Sequence, residues 1–349
     1  MKDPFKLEMN VPCAQFTTLK IGGPARFFLR AESEDQVLEA LKFAETKDIP
    51  VFILGGGSNI LIADTGFDGL VLQIGIQGYE FGYSESGTRN SELVTVGAGE
   101  DWDGFVGYCV RNDLAGIECL SGIPGFVGGT PVQNVGAYGQ EVAETIRSVR
   151  CLDRKTKKIV ELTNVDCGFT YRTSIFNSSE RERYVVLSVT FALEKGGVPR
   201  LTYKDLMDRF GARQPSLSEV RDAVVSIRRS KSMVIDENDP NSRSAGSFFK
   251  NPVISPKNLS ELRAKYERMP SFEFGDMVKV PAAWLIENAG FHKGFAIGNA
   301  GISSNHTLAL INRGGATASE VLLLKSRIQE AVEEKFGISL QPEPVFVGF

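Results

Sequence analysis

Two glycine-rich stretches restrict what this chain can fold into more than any other feature of its sequence. The first follows a short apolar run, PVFIL at 50–54, without a polar spacer: Gly55, Gly56, Gly57, Ser58 and Asn59. An apolar run ended by a breaker reads as a strand, and several main-chain N–H groups converge where it stops. The glycines permit positive φ and close approach, while the serine and asparagine add hydrogen-bonding side chains. That combination suits an anion such as a phosphate, although a tight turn between strands would use the same residues. No GK[ST] follows and the spacing is not GxGxxG, so neither a P-loop nor a Rossmann site has direct support. The second stretch, SGIPGFVGGTPVQNVGAYG at 121–139, lacks helical or strand periodicity, yet it is apolar and not of low complexity. Irregular loops of this length are usually functional. Two of them in one region point to an extended ligand such as a dinucleotide.

The pattern around these loops predicts strands at 26–30, 50–54, 70–74, 93–97, 146–152, 158–162 and 184–193, with helices at 34–47 and 101–112. Strands and helices do not alternate regularly, which favours an α+β architecture over a doubly wound sheet. Near residue 200 the character changes. A helix is expected at 216–231, opened by a capping box of Ser216 and Glu219. A polar loop at 232–245 leads to an expected strand at 247–249. A helix at 281–289 begins with proline and stops at Gly290. A long amphipathic helix at 317–336 has a second capping box, Thr317 with Glu320, and ends at Gly337; a strand at 345–349 follows Glu343. A chain of 349 residues exceeds one ordinary core. The expected division is 1–213, with subdomains of about 1–70 and 71–213, followed by 214–349.

Composition narrows the function. The net charge of −4 comes with scattered Lys and Arg, so a nucleic-acid partner is not expected. The opening MKDPFKLEMN has no apolar core and is not a secretory signal, and no run approaches the roughly 18 apolar residues of a membrane span. Five cysteines without a CxxC pair fit a reduced, cytoplasmic protein. There are only two histidines, His292 and His306, and no HExxH. A histidine-rich metal site is excluded, no metal is expected, and hydrolysis through a histidine base has little to draw on.

Eight motifs then occur in order: TLKIGGPARF (18–27), GGGSN (55–59), GIPGFVGGTPVQNVGAYG (122–139), YRTSIF (171–176), LTYKDL (201–206), GSFFKNP (246–252), AAWLIENAG (282–290) and PEPVFVG (342–348). Their order resembles the FAD-binding fold of the vanillyl-alcohol oxidase and p-cresol methylhydroxylase superfamily. Within that superfamily the chain is similar to the UDP-N-acetylenolpyruvoylglucosamine reductase family of bacterial peptidoglycan synthesis, over nearly its whole length. The resemblance implies an FAD-binding region followed by a separate C-terminal α+β substrate-binding domain. It implies FAD as cofactor, NADPH as co-substrate, and UDP-N-acetylglucosamine enolpyruvate reduced to UDP-N-acetylmuramate, in a monomer serving cell-wall biogenesis. Many superfamily members hold FAD covalently through a histidine; residues 1–291 contain none, so the flavin is expected to bind non-covalently. The implied FAD contacts are Gly55, Gly56, Gly57, Ser58, Asn59, Gly129, Thr130, Asn134 and Gly136.

Hydride addition to an enolpyruvyl double bond leaves carbanion character beside a carboxylate, which calls for cationic or donor groups and a nearby proton donor. The resemblance gives Arg172 the substrate carboxylate, makes Ser247 the proton donor, and places Glu343 where it helps to stabilise the intermediate. Tyr203, Lys231 and Asn251 match the contacts to the UDP moiety, with Tyr203 on a loop that closes over substrate. Read alone, Arg172 would be a surface ion-pair residue, Ser247 a serine bonded to backbone, and Glu343 a solvated charge. Lys231, with Arg228 and Arg229, would complement a helix dipole. Two features depart from the family pattern: the link from Lys231 to Gly246 is long, and His306 stands where amides are expected and receives no role. An alcohol- or lactone-oxidising relative of the same superfamily and a non-catalytic nucleotide-binding regulator are the rival readings. Neither requires Arg172, Ser247 and Glu343 together.

Overall fold

A computed structural model describes residues 6–83 and 91–349; the first five residues of the opening segment lie outside the described residues. The chain forms two compact units that interleave in sequence: 1–11, 25–57 and 68–230 make the first, and 12–24, 58–67 and 231–349 the second.

The first unit contains two sheets. In the smaller, the strands run in the order Glu8–Pro12, Pro24–Ala31, Phe67–Ile74, Val51–Leu54, the last pair being parallel with Val51 opposite Leu70. The helix Glu34–Thr46 precedes Val51–Leu54; Ser33 caps it by accepting from the Gln36 N–H at 3.2 Å. The larger sheet is antiparallel along the path Lys158–Thr163, Ile146–Asp153, Tyr184–Lys195, Ser91–Gly97, Tyr79–Tyr83. Val189, Phe191 and Leu193 project alternately into the core, and Phe191 meets the rings of Trp102 and Phe105 at 5.9 and 5.2 Å. Asp101 caps the helix Trp102–Arg111 through the Gly104 N–H at 2.7 Å.

The second unit is organised by the helix Ala318–Phe336. Its capping box is formed as the sequence predicts: Thr317 Oγ1 accepts from Glu320 N at 3.1 Å, and Glu320 Oε2 accepts from Thr317 N at 2.9 Å. Val321, Leu324, Ile328, Val332 and Phe336 bury one face. That face joins a core holding Phe248, Phe249, Leu285 and Leu310. The strands Ser244–Ser247, Ala309–Asn312, Ala300–Ile302 and Ala296–Ile297 form one sheet; Val253–Ile254, Met277–Lys279 and Phe272–Phe274 form another.

Two sequence expectations shift. Residues 214–230 fall in the first unit, because Val220, Ala223 and Val224 of the helix Leu217–Ser230 bury against Cys119, Leu206 and Phe210. Residues 12–24 and 58–67 fall in the second, where Ile60–Ile62 runs parallel to Val345–Val347 and Asn312 Nδ2 donates to the Leu19 carbonyl at 3.1 Å. The strand expected at 247–249 lies at Ser244–Ser247, displaced by an irregularity at which Gly246 takes a φ of +75°. All five cysteines are free and buried. No helix among the described residues is long and apolar enough to cross a membrane.

Candidate active site

The expected site residues fall into two sets, one in each unit, and the first glycine stretch divides at 57/58. In the first unit the two glycine loops lie directly against each other. A Cβ on Gly56 would sit 2.7 Å from Gly125 Cα and 2.9 Å from Phe126 N, so only glycine fits there. Gly55 and Gly129 have open space where a side chain would project, and Gly57 takes a φ of +65°. The Gly55 carbonyl is held by Gln73 Nε2 at 3.2 Å. The result is a main-chain cradle with two open glycines, the shape a phosphate-bearing cofactor such as FAD needs.

Thr130 and Asn134 shape the second loop from inside. Thr130 Oγ1 donates to the Val127 carbonyl at 2.8 Å. Asn134 is 1% exposed, in the left-handed region at φ +45°. Its amide donates to Glu141 Oε2 at 2.7 Å and to the Thr170 carbonyl at 3.0 Å, and accepts from Ala143 N at 3.1 Å. These bonds bring the loop to Arg172. Thr170 and Thr173 close a two-residue turn by exchanging N–H···O bonds of 2.9 and 3.1 Å, with Tyr171 and Arg172 at its tip. Arg172 takes a φ of +54°, where glycine or asparagine is usual, and its Nη2 donates to the Gly136 carbonyl at 2.7 Å. A strained non-glycine residue persists only where its surroundings over-determine it, and here Asn177 Nδ2 also bonds the Arg172 carbonyl at 3.2 Å. Tyr203 precedes the helix Lys204–Phe210 and is 40% exposed.

In the second unit Ser247 and Glu343 are tied together through the main chain. Ser247 pairs with Ala309, and Phe248 N donates to the Leu308 carbonyl at 2.7 Å. On its other edge the Phe248 carbonyl accepts from Glu343 N at 2.9 Å, and Lys250 N donates to Gln341 O at 2.9 Å. Phe248 and Phe249 are both buried and anchor the crossing, while Ser247 and Glu343 keep partial exposure. Asn59, expected as a cofactor contact, directs its side-chain amide to the Glu343 carbonyl at 3.2 Å, and its own carbonyl accepts from Val345 N at 3.0 Å. Asn251 Oδ1 accepts from Ala282 N at 2.9 Å, capping the helix Ala282–Asn288 from a distant position and leaving its N–H groups to donate. Lys231 opens the second unit in the turn after Ser230, and Ser58 opens the stretch 58–67.

Arg228 is the functional-region residue that sequence reading passed over. Read there as one of the cations that complement a helix dipole, it is 8% exposed, and its Nε donates to the Gly122 carbonyl at 3.0 Å. Burial lowers its pKa, opposed by a hydrogen bond to Tyr138. The signal was spacing: Val220, Val224 and Arg228 lie four apart on one helix face. Beside it, Asp103 accepts from Gly122 N at 2.6 Å and pairs with both Arg221 nitrogens at 2.6 and 2.9 Å. Burial raises the Asp103 carboxyl's pKa, but the Arg221 hydrogen bonds and the Gly122 N–H outweigh it and leave it below the usual carboxylate value.

Comparisons with known proteins decide the family. A family described as FAD binding domain matches residues 25–163, and one described as UDP-N-acetylenolpyruvoylglucosamine reductase, C-terminal domain, matches residues 239–347. The UDP-N-acetylenolpyruvoylglucosamine reductase of Thermobifida fusca is 44% identical over 97% of this chain and 97% of its own length. That of Streptomyces coelicolor is 42% identical over 99% of this chain and 91% of its own. The chain belongs to the UDP-N-acetylenolpyruvoylglucosamine reductase family. A solved structure of the Thermus caldophilus member superposes with a TM-score of 0.68 at 25% identity, covering 98% of this chain and 99% of that one. Membership makes the protein an FAD-dependent oxidoreductase with NADPH as co-substrate, in a family whose reaction is a reduction in peptidoglycan precursor synthesis. The α+β fold with an FAD-binding domain and a family-specific C-terminal domain is the one the motif order implied.

Proposed function

We propose that the chain reduces the enolpyruvyl double bond of UDP-N-acetylglucosamine enolpyruvate to give UDP-N-acetylmuramate, and that Arg172, Ser247 and Glu343 carry the chemistry on the substrate. FAD, when bound, would supply the redox chemistry that links NADPH to the substrate. Arg172 holds the substrate carboxylate: its guanidinium stays charged and its fork matches two oxygens. A guanidinium there also lowers the cost of the negative charge that develops beside that carboxylate. Ser247 donates the proton. Its O–H bond breaks as the new C–H bond forms, and the alkoxide regains a proton from water; a carbanion is basic enough to draw a proton from an alcohol. Glu343 helps to stabilise the intermediate; as a bare carboxylate it would oppose the developing charge, so it acts there protonated or paired with a cation such as Arg172.

The observation that carries this reading is the bond from Glu343 N to the Phe248 carbonyl, which fixes the residue after Ser247 against Glu343. Gly55, Gly56, Gly57, Ser58, Asn59, Gly129, Thr130, Asn134 and Gly136 form or shape the FAD site, and Tyr203, Lys231 and Asn251 take the UDP moiety, with 231–349 as the substrate-binding part. A monomer in the cytoplasm fits this role. The test separates the half-reactions. Ser247→Ala should keep NADPH-driven bleaching of the flavin at its normal rate and lose at least about a hundredfold in reoxidation by the substrate, in line with the loss of a general acid. Equal losses in both half-reactions would make Ser247 a structural residue.

A further inference from the structure

The second glycine loop, 121–139, is closed at its base by two buried side chains that the proposed chemistry does not use. Glu118, just before the loop, is 1% exposed, and Gln140, just after it, is 5% exposed. Glu118 Oε2 accepts from Gly116 N at 2.8 Å, and its Oε1 accepts from Gln140 Nε2 at 2.8 Å. Gln140 Oε1 in turn accepts from Cys119 N at 2.8 Å. Among the described residues no cation pairs with Glu118. A buried carboxylate held only by neutral donors is costly unless they satisfy it, so these bonds fix its orientation. Gln140 also begins the return strand of a hairpin: it pairs with Ala137, and Glu141 pairs with Gly136. Tyr138 and Gly139 make the turn, with φ of +51° and +85°, as a type I′ turn requires. Adjacent strand residues face opposite ways. Gln140 therefore reaches back to 118–119, while Glu141 Oε2 accepts from Asn134 Nδ2 at 2.7 Å. The hairpin that carries Gly136 is pinned from both faces.

We infer that Glu118 and Gln140 are positioning residues for the flavin: their clasp holds both ends of the 121–139 loop at one separation and so sets where Gly129 and Gly136 stand. A loop whose ends are already held loses less conformational freedom when it takes a ligand. The clasp also has a direction. Glu118 presents acceptors to a main-chain N–H and to the Gln140 amide, and Gln140 must then turn its oxygen to Cys119 N. One acid and one amide satisfy this pattern; two acids or two amides do not. The inference rests on the reading of the 121–139 loop as a contact to FAD.

Release of FAD from the flavin-loaded protein after dilution, followed as the rise in flavin fluorescence, tests it. In Glu118→Gln the new amide meets the Gln140 amide, and in Gln140→Glu two carboxylates meet. Each should speed release about five- to tenfold, part of the cost of leaving buried polar groups unpaired. Glu118→Gln combined with Gln140→Glu restores the pattern. The amide at 118 accepts from Gly116 N and donates to the carboxylate at 140, whose other oxygen accepts from Cys119 N. The combined variant should release FAD within about twofold of the unmodified protein, the non-additivity of directly bonded groups. Unchanged release from both single variants would overturn the inference, even if their thermal midpoints fall. A combined variant that releases FAD as fast as the faster single variant would overturn it too. If Gln140→Glu does not fold, Gln140→Met, which keeps the volume and loses both bonds, decides: faster release supports the clasp and unchanged release overturns it. Gly129→Val puts a side chain into the open space of the cradle and tests the underlying reading. Unchanged release from Gly129→Val would overturn the loop as a flavin contact, and this inference with it; faster release from Gly129→Val alone would overturn only the inference.

Discussion

The glycine cradle of the first unit and the strand crossing of the second position groups by opposite means. In the cradle, Gly56 leaves no room for a side chain against Gly125, while Gly55 and Gly129 leave space open. The proposed cofactor contact there depends on what is missing. At the crossing, the Phe248 main chain bonds Leu308 on one edge and Glu343 on the other, and Asn59 adds a side-chain tie. The groups proposed to act there are side chains carried by a backbone bonded on both edges. The contrast teaches which kind of substitution each region tolerates: volume is forbidden in one and chemistry in the other.

The largest expected effect is at Gly56. Gly56→Val should expel the flavin, seen as a colourless purified protein, and cost about 1–3 kcal/mol in stability from overpacking. A yellow, active Gly56→Val would break the contrast. Arg172→Asn comes next. Asparagine tolerates the left-handed conformation that Arg172 occupies at φ +54°, so thermal stability should hold or rise slightly while reoxidation by substrate collapses. A fall in stability without loss of turnover would mean the guanidinium serves the fold. Asn59→Ala should remove one hydrogen bond to the Glu343 carbonyl, costing about 1 kcal/mol by chemical denaturation, and slow the substrate half-reaction more than the NADPH half-reaction.

The smallest effect isolates stability from chemistry. Asp153, buried in the larger sheet, accepts from both Arg183 Nε and Nη2, and these bonds hold its carboxyl down to about 2. A carboxylate depressed in the folded state adds stability above its unfolded value near 4, and that stability is lost as pH falls from about 4 to 2. Asp153→Asn should flatten the stability curve in that window without changing either half-reaction at neutral pH. An unchanged acid limb would remove Asp153 from the account.

Much of this was legible from local pattern. Both capping boxes form where Ser216 with Glu219 and Thr317 with Glu320 predict them, because a cap is a contact between residues three apart. The glycine loops were legible because only backbone freedom explains such a run after an apolar strand. What escaped depends on long separation or on a bend. Asn59 and Glu343 lie 284 positions apart, so no local pattern shows their bond. Ser244–Ser247 was misplaced because Gly246 shifts the register, which becomes visible only once Ala309–Asn312 is alongside. Arg228 escaped because its place at a helix end argued for a dipole contact more loudly than its spacing argued for the core.

One measurement bears most directly on the claim that this chain passes reducing equivalents from NADPH to an enolpyruvyl nucleotide sugar. The purified protein is placed in an anaerobic cuvette, and its visible spectrum is followed as NADPH and then UDP-N-acetylglucosamine enolpyruvate are added. The account requires a yellow flavin spectrum that bleaches with NADPH and returns on adding the substrate. A spectrum that bleaches and stays bleached would keep the flavin site and contradict the substrate; a protein that takes up no FAD would contradict the whole account.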